Sequence, residues 1–520
     1  MHRPYTLAMH VTRRFQQSAF SVYGALFALS LILINPWGTD RGYTWTFPKM
    51  MVVLVITLFH VGYLLMSALE ERSSRSHTAE KPSTDPPDER WWFAAGLWAL
   101  FLTVGLAACY FSPVAFAGAM RANFEMGDGW RYFALLAVFT LSNALVLKLK
   151  PELFRAQLYG ILGGGLILAL AVLPQVFDWT IDYTETSGQT TSEGRLASDM
   201  YKVQMPTGFH TSRGHAGFVT SAVALLSLVS LARSWLKPRY AWPLFFVISM
   251  AMWASDTRGV YLAYLAGLVY VGLRFSGRTL SWQRSGIALA LVVASFLTLG
   301  GARTLFDAGP FRSFPNLATV LTRASSEEGS TVVNTAAQLS SGRLEKFEVA
   351  VKAIRERPLL GWGFNGFGVS WYYFADWSLP AYRAKLATVD GERKNVQRVL
   401  NTSRGGFTYI GTDGNEYRGR GYVNKAHNIF LDTAVSVGLL GLLIYMVLAC
   451  FVIWVGARGL GRGLEVVAVV YIVYGLTWFE SAQYSHLTWW ALSAGFGLAL
   501  GQVATDKADD RVRTASPEPA

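Results

Sequence analysis

The chain has 520 residues, of which 52 % are hydrophobic and only 15 % are charged. About one quarter of the residues of a soluble domain are charged, so this composition argues against a soluble protein and indicates one that lies in lipid. The formal net charge is +12, but the positive residues alternate with apolar runs instead of forming one patch. They favour orientation in a membrane over nucleic-acid binding. The two cysteines, Cys109 and Cys450, lie inside apolar runs and indicate neither a disulfide nor a metal cluster.

Twelve apolar runs divide the chain, and a membrane-spanning helix needs about 20 mostly apolar residues. In chain order they are Ser18–Pro36, Met50–Leu69, Trp91–Phe111, Tyr132–Leu149, Ala156–Phe177, Ala216–Leu236, Tyr240–Ala254, Thr257–Arg274, Gly286–Gly301, His427–Val455, Leu464–Phe479 and His486–Thr505. We separate the seventh run from the eighth at Asp256, because a carboxylate in mid-bilayer would be costly. The sequence therefore predicts an all-α polytopic membrane protein with about twelve transmembrane helices.

Lysine and arginine concentrate in every second loop between these runs. Examples are Arg72 and Arg90, Lys148 and Lys150, Arg233 and Lys237, Arg278 and Arg284, and Arg458 and Arg462. Positive residues stay on the cytoplasmic side of a membrane, so both termini are predicted to be cytoplasmic. The first run is predicted to be an uncleaved span, because no small-residue cleavage site follows it.

The largest segment on the opposite face covers residues 303–426, between the ninth and tenth helices. It contains a predicted helix that starts after Ser340-Ser341 and ends at Pro358, and a predicted hairpin around Gly411–Asn415. We therefore expect a folded outer domain. The predicted organisation is a bundle of about nine helices at 1–302, this outer loop domain at 303–426, about three helices at 427–505, and a disordered cytoplasmic tail at 506–520.

His427 lies where the polar outer segment meets the tenth apolar run. A helix N-terminus disfavours an imidazolium, and a neutral imidazole can accept a proton from a hydroxyl as a general base. The alternative is a histidine that caps or anchors the helix at the interface. Asp432 lies further along the same run and could orient a partner or face a wet cavity.

Two arginines precede apolar runs on the same outer face. Arg258 could pair with Asp256 and cap a short turn, or it could grip phosphate oxygens in a bidentate way. Arg213 could reach for the headgroup region, as interfacial arginines often do, and His215 follows it closely. These alternatives stay open from the residues alone.

Four stretches, taken together, resemble the O-antigen ligase and O-antigen polymerase family of bacterial inner-membrane glycosyltransferases. They are Gly208–Gly217, Asp256–Gly259, Ser341–Leu344 followed by Pro358–Gly363, and Ala426-His427-Asn428 followed by Gly438–Leu442. Two positions depart from the family's pattern, since Phe347 stands where a Trp is frequent and Asp432 where an amide is frequent.

The resemblance implies a GT-C-type membrane architecture and a periplasmic active site. It implies a donor glycan carried on undecaprenyl diphosphate, and an acceptor hydroxyl on the lipid A core for a ligase or on the next repeat unit for a polymerase. By the same resemblance His427 is the base, Arg213 and Arg258 bind the diphosphate, and the supporting residues are His215, Asn428, Asp432 and Arg343. No metal or other cofactor is expected, and displacement at the anomeric carbon would be inverting.

A polytopic transporter or flippase is the alternative from another class, and a non-catalytic scaffold for envelope assembly is a weaker one. Twelve spans would suit a transporter equally well. Transporters, however, usually show repeated halves and ionisable residues near the midplane. This sequence has one large asymmetric outer segment and ionisable residues at the outer face, which favours an enzyme.

Overall fold

A computed structural model describes residues 20–38, 42–75, 88–114, 116–120, 127–176, 206–305, 343–364, 366–374, 396–403, 406–411, 413–420 and 425–515. The first helices in chain order are α1 (Phe20–Ile32), α2 (Phe47–Arg75), α3 (Glu89–Tyr110), α4 (Phe116–Met120), α5 (Trp130–Leu149), α6 (Leu153–Val176), α7 (Arg213–Ala232) and α8 (Pro238–Ala254). A π-helical turn, Gly42–Thr46, precedes α2.

The later elements include the outer segment and the last helices. They are α9 (Arg258–Phe275), α10 (Trp282–Leu305), α11 (Arg343–Glu356), α12 (Gly366–Phe374), β1 (Val396–Ser403), β2 (Gly406–Gly411), β3 (Glu416–Arg420), α13 (Ile429–Gly456), α14 (Val466–Gly475) and α15 (Ser485–Ala515). Each of the twelve apolar runs overlaps one of the described helices.

Seven of the described helices are long and apolar enough to cross a membrane. They are α2 with the turn before it, α3, α5, α6, α7, α10 and α13. Large apolar side chains are exposed on their outer surfaces, for example Leu65, Leu289 and Leu443. Water would not stabilise such surfaces, whereas lipid does. The prediction of a mainly helical, multi-pass membrane protein is confirmed, and the number of twelve crossings stays a prediction.

Helix α7 lies at the centre of the bundle. Every residue from Gly214 to Ala232 is buried, and the helix packs against α6, α8, α9 and α14. A helix that is apolar on all sides must be surrounded by others, as this one is. The backbone of its first residue, Arg213, is therefore held in a fixed position at one end of the bundle.

Helix α13 is broken at Gly438, where φ is 73° and ψ is 176°. The turn that follows α11 docks into this break by three backbone hydrogen bonds. Their N–H donors and C=O acceptors are Leu439 to Pro358 at 2.7 Å, Trp362 to Val435 at 2.8 Å and Gly363 to Ser436 at 2.8 Å. The docked turn fixes α11 against α13, and the two helices are in contact.

The outer segment also contains a three-stranded antiparallel sheet in the order β1-β2-β3. The predicted hairpin is confirmed by β2 and β3, in which Tyr409 lies opposite Tyr417. Strand β1 pairs with β2 and was not predicted. The sheet lies within the outer segment, and the elements described elsewhere in the chain are helices. The Phe, Tyr and Ile residues of the hairpin suit a pleated surface, and they give β1 an edge to pair with.

Helix α15 continues to Ala515, into residues 506–520, for which the sequence predicts a disordered tail. The bounds of the tail stay a prediction. Composition favours the helix, since Ala, Lys and Arg are favourable in helices and no Gly or Pro occurs between Gln502 and Ala515.

Candidate functional site

The loop between α14 and α15 forms one wall of the candidate site. The first turns of α7 and α9 lie directly against the residues leading into it. A Cβ on Gly214 would lie 2.9 Å from the Tyr474 hydroxyl, and a Cβ on Gly259 would lie 2.1 Å from Oγ1 of Thr477. These glycines allow the approach because they have no side chain. Arg213 and Arg258, which precede them, therefore begin their helices beside the same wall.

The first turns of α13 and α11 reach this wall from the other side. Asn428 caps α13 by accepting hydrogen bonds from the backbone N–H groups of Phe430 and Leu431, and its Nδ2 donates to the Leu476 carbonyl at 3.1 Å. The Arg343 guanidinium, at the start of α11, lies 5.7 Å from the ring centre of Trp478. The N-terminal ends of four helices thus meet here, and each end attracts anions.

His427 lies immediately before the cap of α13 with φ at 61°. Its ring makes edge contacts with Trp478 and Phe479, at centroid distances of 5.7 and 5.0 Å. The pKa of His427 is lowered to about 3, chiefly by burial and also by the positive charges of Lys346 and Arg343. The imidazole is therefore neutral at neutral pH and can accept a proton.

Nδ1 of His427 has two polar neighbours. It lies 3.1 Å from the carbonyl oxygen of Lys425 and 3.3 Å from Nζ of Lys346. None of the hydrogen bonds resolved among the described residues uses Nε2. The base position that remains for a substrate is therefore Nε2.

The arginines differ in their surroundings. Nη1 of Arg213 lies 3.5 Å from Oδ2 of Asp256, and 30 % of its side chain is exposed. Arg258 is exposed. Burial lowers the pKa of Arg343, and the charge of Arg258 contributes in the same direction. The structure thus places Arg258 and Arg343 within electrostatic reach of each other.

His215 is buried in the first turn of α7 and contacts the same two aromatic rings as His427. Its ring contacts Trp478 and Phe479 at 6.1 and 5.7 Å, and its Nδ1 lies 3.3 Å from Oγ1 of Thr211. The structure therefore brings His215 close to His427, with the rings of Trp478 and Phe479 in contact with both.

A buried ion pair lies behind His427, and sequence reasoning missed it. Nζ of Lys425 forms a hydrogen bond and salt bridge with Oδ2 of Asp128, and both side chains are almost fully buried. Burial lowers the pKa of Lys425, but the facing carboxyl groups of Asp128, Asp432 and Glu480 outweigh it and raise that pKa. The signal in the sequence was the lysine two residues before His427, which reads as one more exposed basic residue of the outer segment.

Asp432 holds the turn that contains His427. Its Oδ1 accepts a hydrogen bond from the backbone N–H of Ala426 at 2.8 Å. Glu480, in the wall loop, is buried and accepts a hydrogen bond from the Tyr471 hydroxyl, and burial raises its pKa to about 7. Asp432 therefore supports the backbone next to the histidine, while the ammonium of Lys346 contacts its ring.

These features define a multi-pass membrane protein with a polar, anion-attracting site at one end of the bundle. Residues 243–389 match the family model described as O-antigen ligase, and this match confirms the resemblance to the O-antigen ligase and polymerase family. The matched residues include Arg258 and Arg343 but not Arg213 or His427. The family consists of glycosyltransferase-like enzymes of O-antigen assembly. No curated protein matches the chain.

Proposed function

We propose that this protein is a membrane glycosyltransferase that moves a glycan from an undecaprenyl-diphosphate carrier to an acceptor hydroxyl. Ligation of O-antigen to the lipid A core is the first candidate, and polymerisation of repeat units is the second. We place the protein in the bacterial inner membrane with cytoplasmic termini and a periplasmic site. The observation that carries the proposal is a neutral, partly buried His427 whose Nδ1 lies 3.3 Å from the ammonium of Lys346, with Arg343 as a second cation acting on it.

The donor's leaving group explains the arginines. When the bond between the anomeric carbon and the diphosphate oxygen breaks, negative charge grows on that oxygen. Arg213 and Arg258, supported by Arg343 and by the helix N-termini, stabilise this charge where it develops. In this proposal no metal ion takes part, because guanidinium groups supply the charge that a metal supplies in other phosphate chemistry.

The acceptor explains the histidine. Nε2 of His427 accepts the hydroxyl proton while the acceptor oxygen bonds to the anomeric carbon from the side opposite the leaving diphosphate. The products are the glycoside with inverted configuration, undecaprenyl diphosphate and a protonated imidazole, which loses its proton to water. Asn428 and Asp432 position the histidine, because they fix the backbone on its two sides.

A transporter or flippase is less well supported. Such a protein needs a polar route through the bundle, but α7 at the centre is buried by packed side chains along its whole length. The cations Arg213, Arg258 and Arg343 lie at one end of the bundle instead. This arrangement suits a reaction at one leaflet.

The test is transfer by the purified protein from a lipid-linked donor, with His427→Ala compared with the wild type. We expect loss of transfer by at least 1,000-fold, about 4 kcal/mol of transition-state stabilisation, with unchanged expression. Lys352→Met is the matched control, because Lys352 is half-exposed and forms an ion pair with Glu348 on the helix surface. Transfer retained by His427→Ala would overturn the base assignment.

Deletion of the gene separates the candidates. Loss of all polymer from the lipid A core on a lipopolysaccharide gel supports ligation, whereas a core that carries one repeat supports polymerisation. Intact polymer that accumulates on its carrier on the cytoplasmic side would support a flippase and contradict the proposed reaction.

A further inference from the structure

We propose that Lys346 couples donor binding to the activation of His427. In the empty site its ammonium holds Nδ1 of the histidine, and a bound diphosphate draws the ammonium away and so changes which ring nitrogen carries the proton. This inference rests on the proposed function. It adds to that function a positioning residue on the outer helix that senses the anionic part of the donor.

Lys346 lies one turn after Arg343 on α11, so both side chains leave the same face of the helix. Arg343 lies over Trp478, and Lys346 reaches Nδ1 of His427 at 3.3 Å. Arg258 is within electrostatic reach of Arg343, so three cations lie in the same region, and one of them contacts the histidine. A diphosphate bound by the two arginines would therefore bring anionic oxygens close to the Lys346 ammonium.

The two neighbours of Nδ1 demand opposite protonation states. The Lys425 carbonyl oxygen can only accept a hydrogen bond, so that contact at 3.1 Å requires a proton on Nδ1. The Lys346 ammonium can only donate, so its contact at 3.3 Å requires a bare Nδ1. A neutral imidazole carries one proton, and the two contacts therefore select different tautomers.

The chemical consequence lies at Nε2. While Lys346 donates to Nδ1, the ring proton is on Nε2, and Nε2 cannot accept the acceptor's proton. When phosphate oxygens attract Lys346, Nδ1 takes a proton from water and Nε2 releases its proton to water. The new Nδ1–H then donates a hydrogen bond to the Lys425 carbonyl. The exchange has no net proton change and leaves a lone pair on Nε2. The base is thus available mainly when a donor is bound, which protects the site from unproductive chemistry.

The charged groups around His427 act on the protonation of its ring. Lys346 and Arg343 face it from α11, His215 approaches the same aromatic wall from α7, and the Lys425–Asp128 pair with Asp432 lies behind it. Removal of Lys346 removes the positive charge that most opposes protonation of the ring. The pKa of His427 then rises, so its neutral form is lost at higher pH than in the wild type.

The experiment measures initial transfer rates against donor concentration from pH 4.5 to 8.5 for the wild type, Lys346→Met and Lys346→Arg. For Lys346→Met we expect a donor KM about ten-fold higher, from the loss of one charge-assisted contact, and an acid limb of kcat/KM that lies at higher pH than in the wild type. Lys346→Arg retains the charge and should restore both quantities to within about three-fold. Lys352→Met on the same helix should match the wild type.

A second readout follows the tautomer itself. In protein labelled with ¹⁵N-histidine, the His427 signals, assigned by their loss in His427→Ala, should shift from Nε2-protonated to Nδ1-protonated when undecaprenyl diphosphate is added. Lys346→Met should show the Nδ1-protonated form without any addition. A changed KM with neither the pH shift nor the tautomer change would overturn the coupling, as would wild-type behaviour of Lys346→Met.

The experiments distinguish a failure of the proposed transferase function from a failure of the proposed role of Lys346. If His427→Ala retains transfer, the proposed function itself is wrong. If His427→Ala is inactive and Lys346→Met is indistinguishable from the wild type, only the role of Lys346 is wrong.

Discussion

Gly438→Ala tests whether the docked turn after α11 organises the site. At Gly438 the backbone has φ of 73° and ψ of 176°, a region that is essentially restricted to glycine and costs about 1–3 kcal/mol for other residues. An added Cβ would lie 2.0 Å from the carbonyl oxygen of Leu359 and 2.2 Å from its carbonyl carbon. Backbone atoms cannot move aside as a flexible side chain can. Either α13 therefore straightens, or the turn after α11 undocks from α13.

The magnitude follows from what undocking removes. The three backbone hydrogen bonds between the turn and α13 contribute about 0.5–1.5 kcal/mol each, and the strain adds to this. The turn is tied to α11 by the Trp362 indole N–H, which donates to the Ala353 carbonyl at 2.9 Å. Undocking therefore shifts α11, and with it Arg343 and Lys346, away from His427. A misplacement of about 1 Å costs about 100-fold in rate.

We expect Gly438→Ala to lose at least 100-fold in transfer and to lower the melting temperature of the detergent-solubilised protein. Gly272→Ala in α9 is the control, because a Cβ at this position would meet no atom within 4 Å in the described part of the chain. Alanine is also favoured over glycine in a helix by about 1 kcal/mol, so this variant should retain activity and stability. Wild-type transfer and an unchanged melting temperature for Gly438→Ala would refute the docking argument.

The remaining predictions concern charge and pH. Arg258→Lys should lower kcat/KM at least ten-fold in the same transfer assay, because an ammonium cannot reproduce bidentate binding of phosphate; near-normal turnover would contradict the diphosphate role. Asp128→Asn should destabilise the protein by about 3–5 kcal/mol in thermal unfolding, since it leaves Lys425 buried without its counter-charge, and adding Lys425→Met should recover much of that loss. The wild type should show no acid limb above pH 5, because His427 is a base only when neutral and its pKa is about 3; a limb near 6.5 would show an unperturbed histidine. Transfer should survive EDTA, and a loss reversed by Mg²⁺ would exclude the metal-free reaction.

The apolar runs predicted the helices well because lipid imposes a simple requirement on length and composition. Helix α3 begins at Glu89, two residues before the predicted run, and α5 ends at Leu149 as predicted. The break in α13 was not predictable from its own residues. The run from His427 to Val455 reads as one continuous helix, and the break depends on a turn about 75 residues earlier in the chain that docks there.

In the candidate site, too, some residues could be predicted from local sequence and others depend on contacts between distant segments. Arg213, Arg258 and His427 could be found because each lies just before or at the start of an apolar run that is predicted to begin on the same face of the membrane. Lys346 could not, because it lies among charged residues on an amphipathic helix, and such a pattern usually marks a solvated face. Its contact with His427 arises from the packing of α11 on α13, which no local pattern encodes.

The docking also explains why the recognisable motifs of this chain are rich in glycine. The turn is held by backbone hydrogen bonds, which do not depend on side-chain identity, so most side chains there are not constrained by the docking. The glycines are constrained, since a Cβ on Gly361 would lie 2.5 Å from the Val435 carbonyl oxygen and one on Gly363 would lie 2.8 Å from Cβ of Ala119. Pro358–Gly363 and Gly438 thus form one contact between the turn and α13, and that contact determines where Arg343 and Lys346 of α11 lie relative to His427.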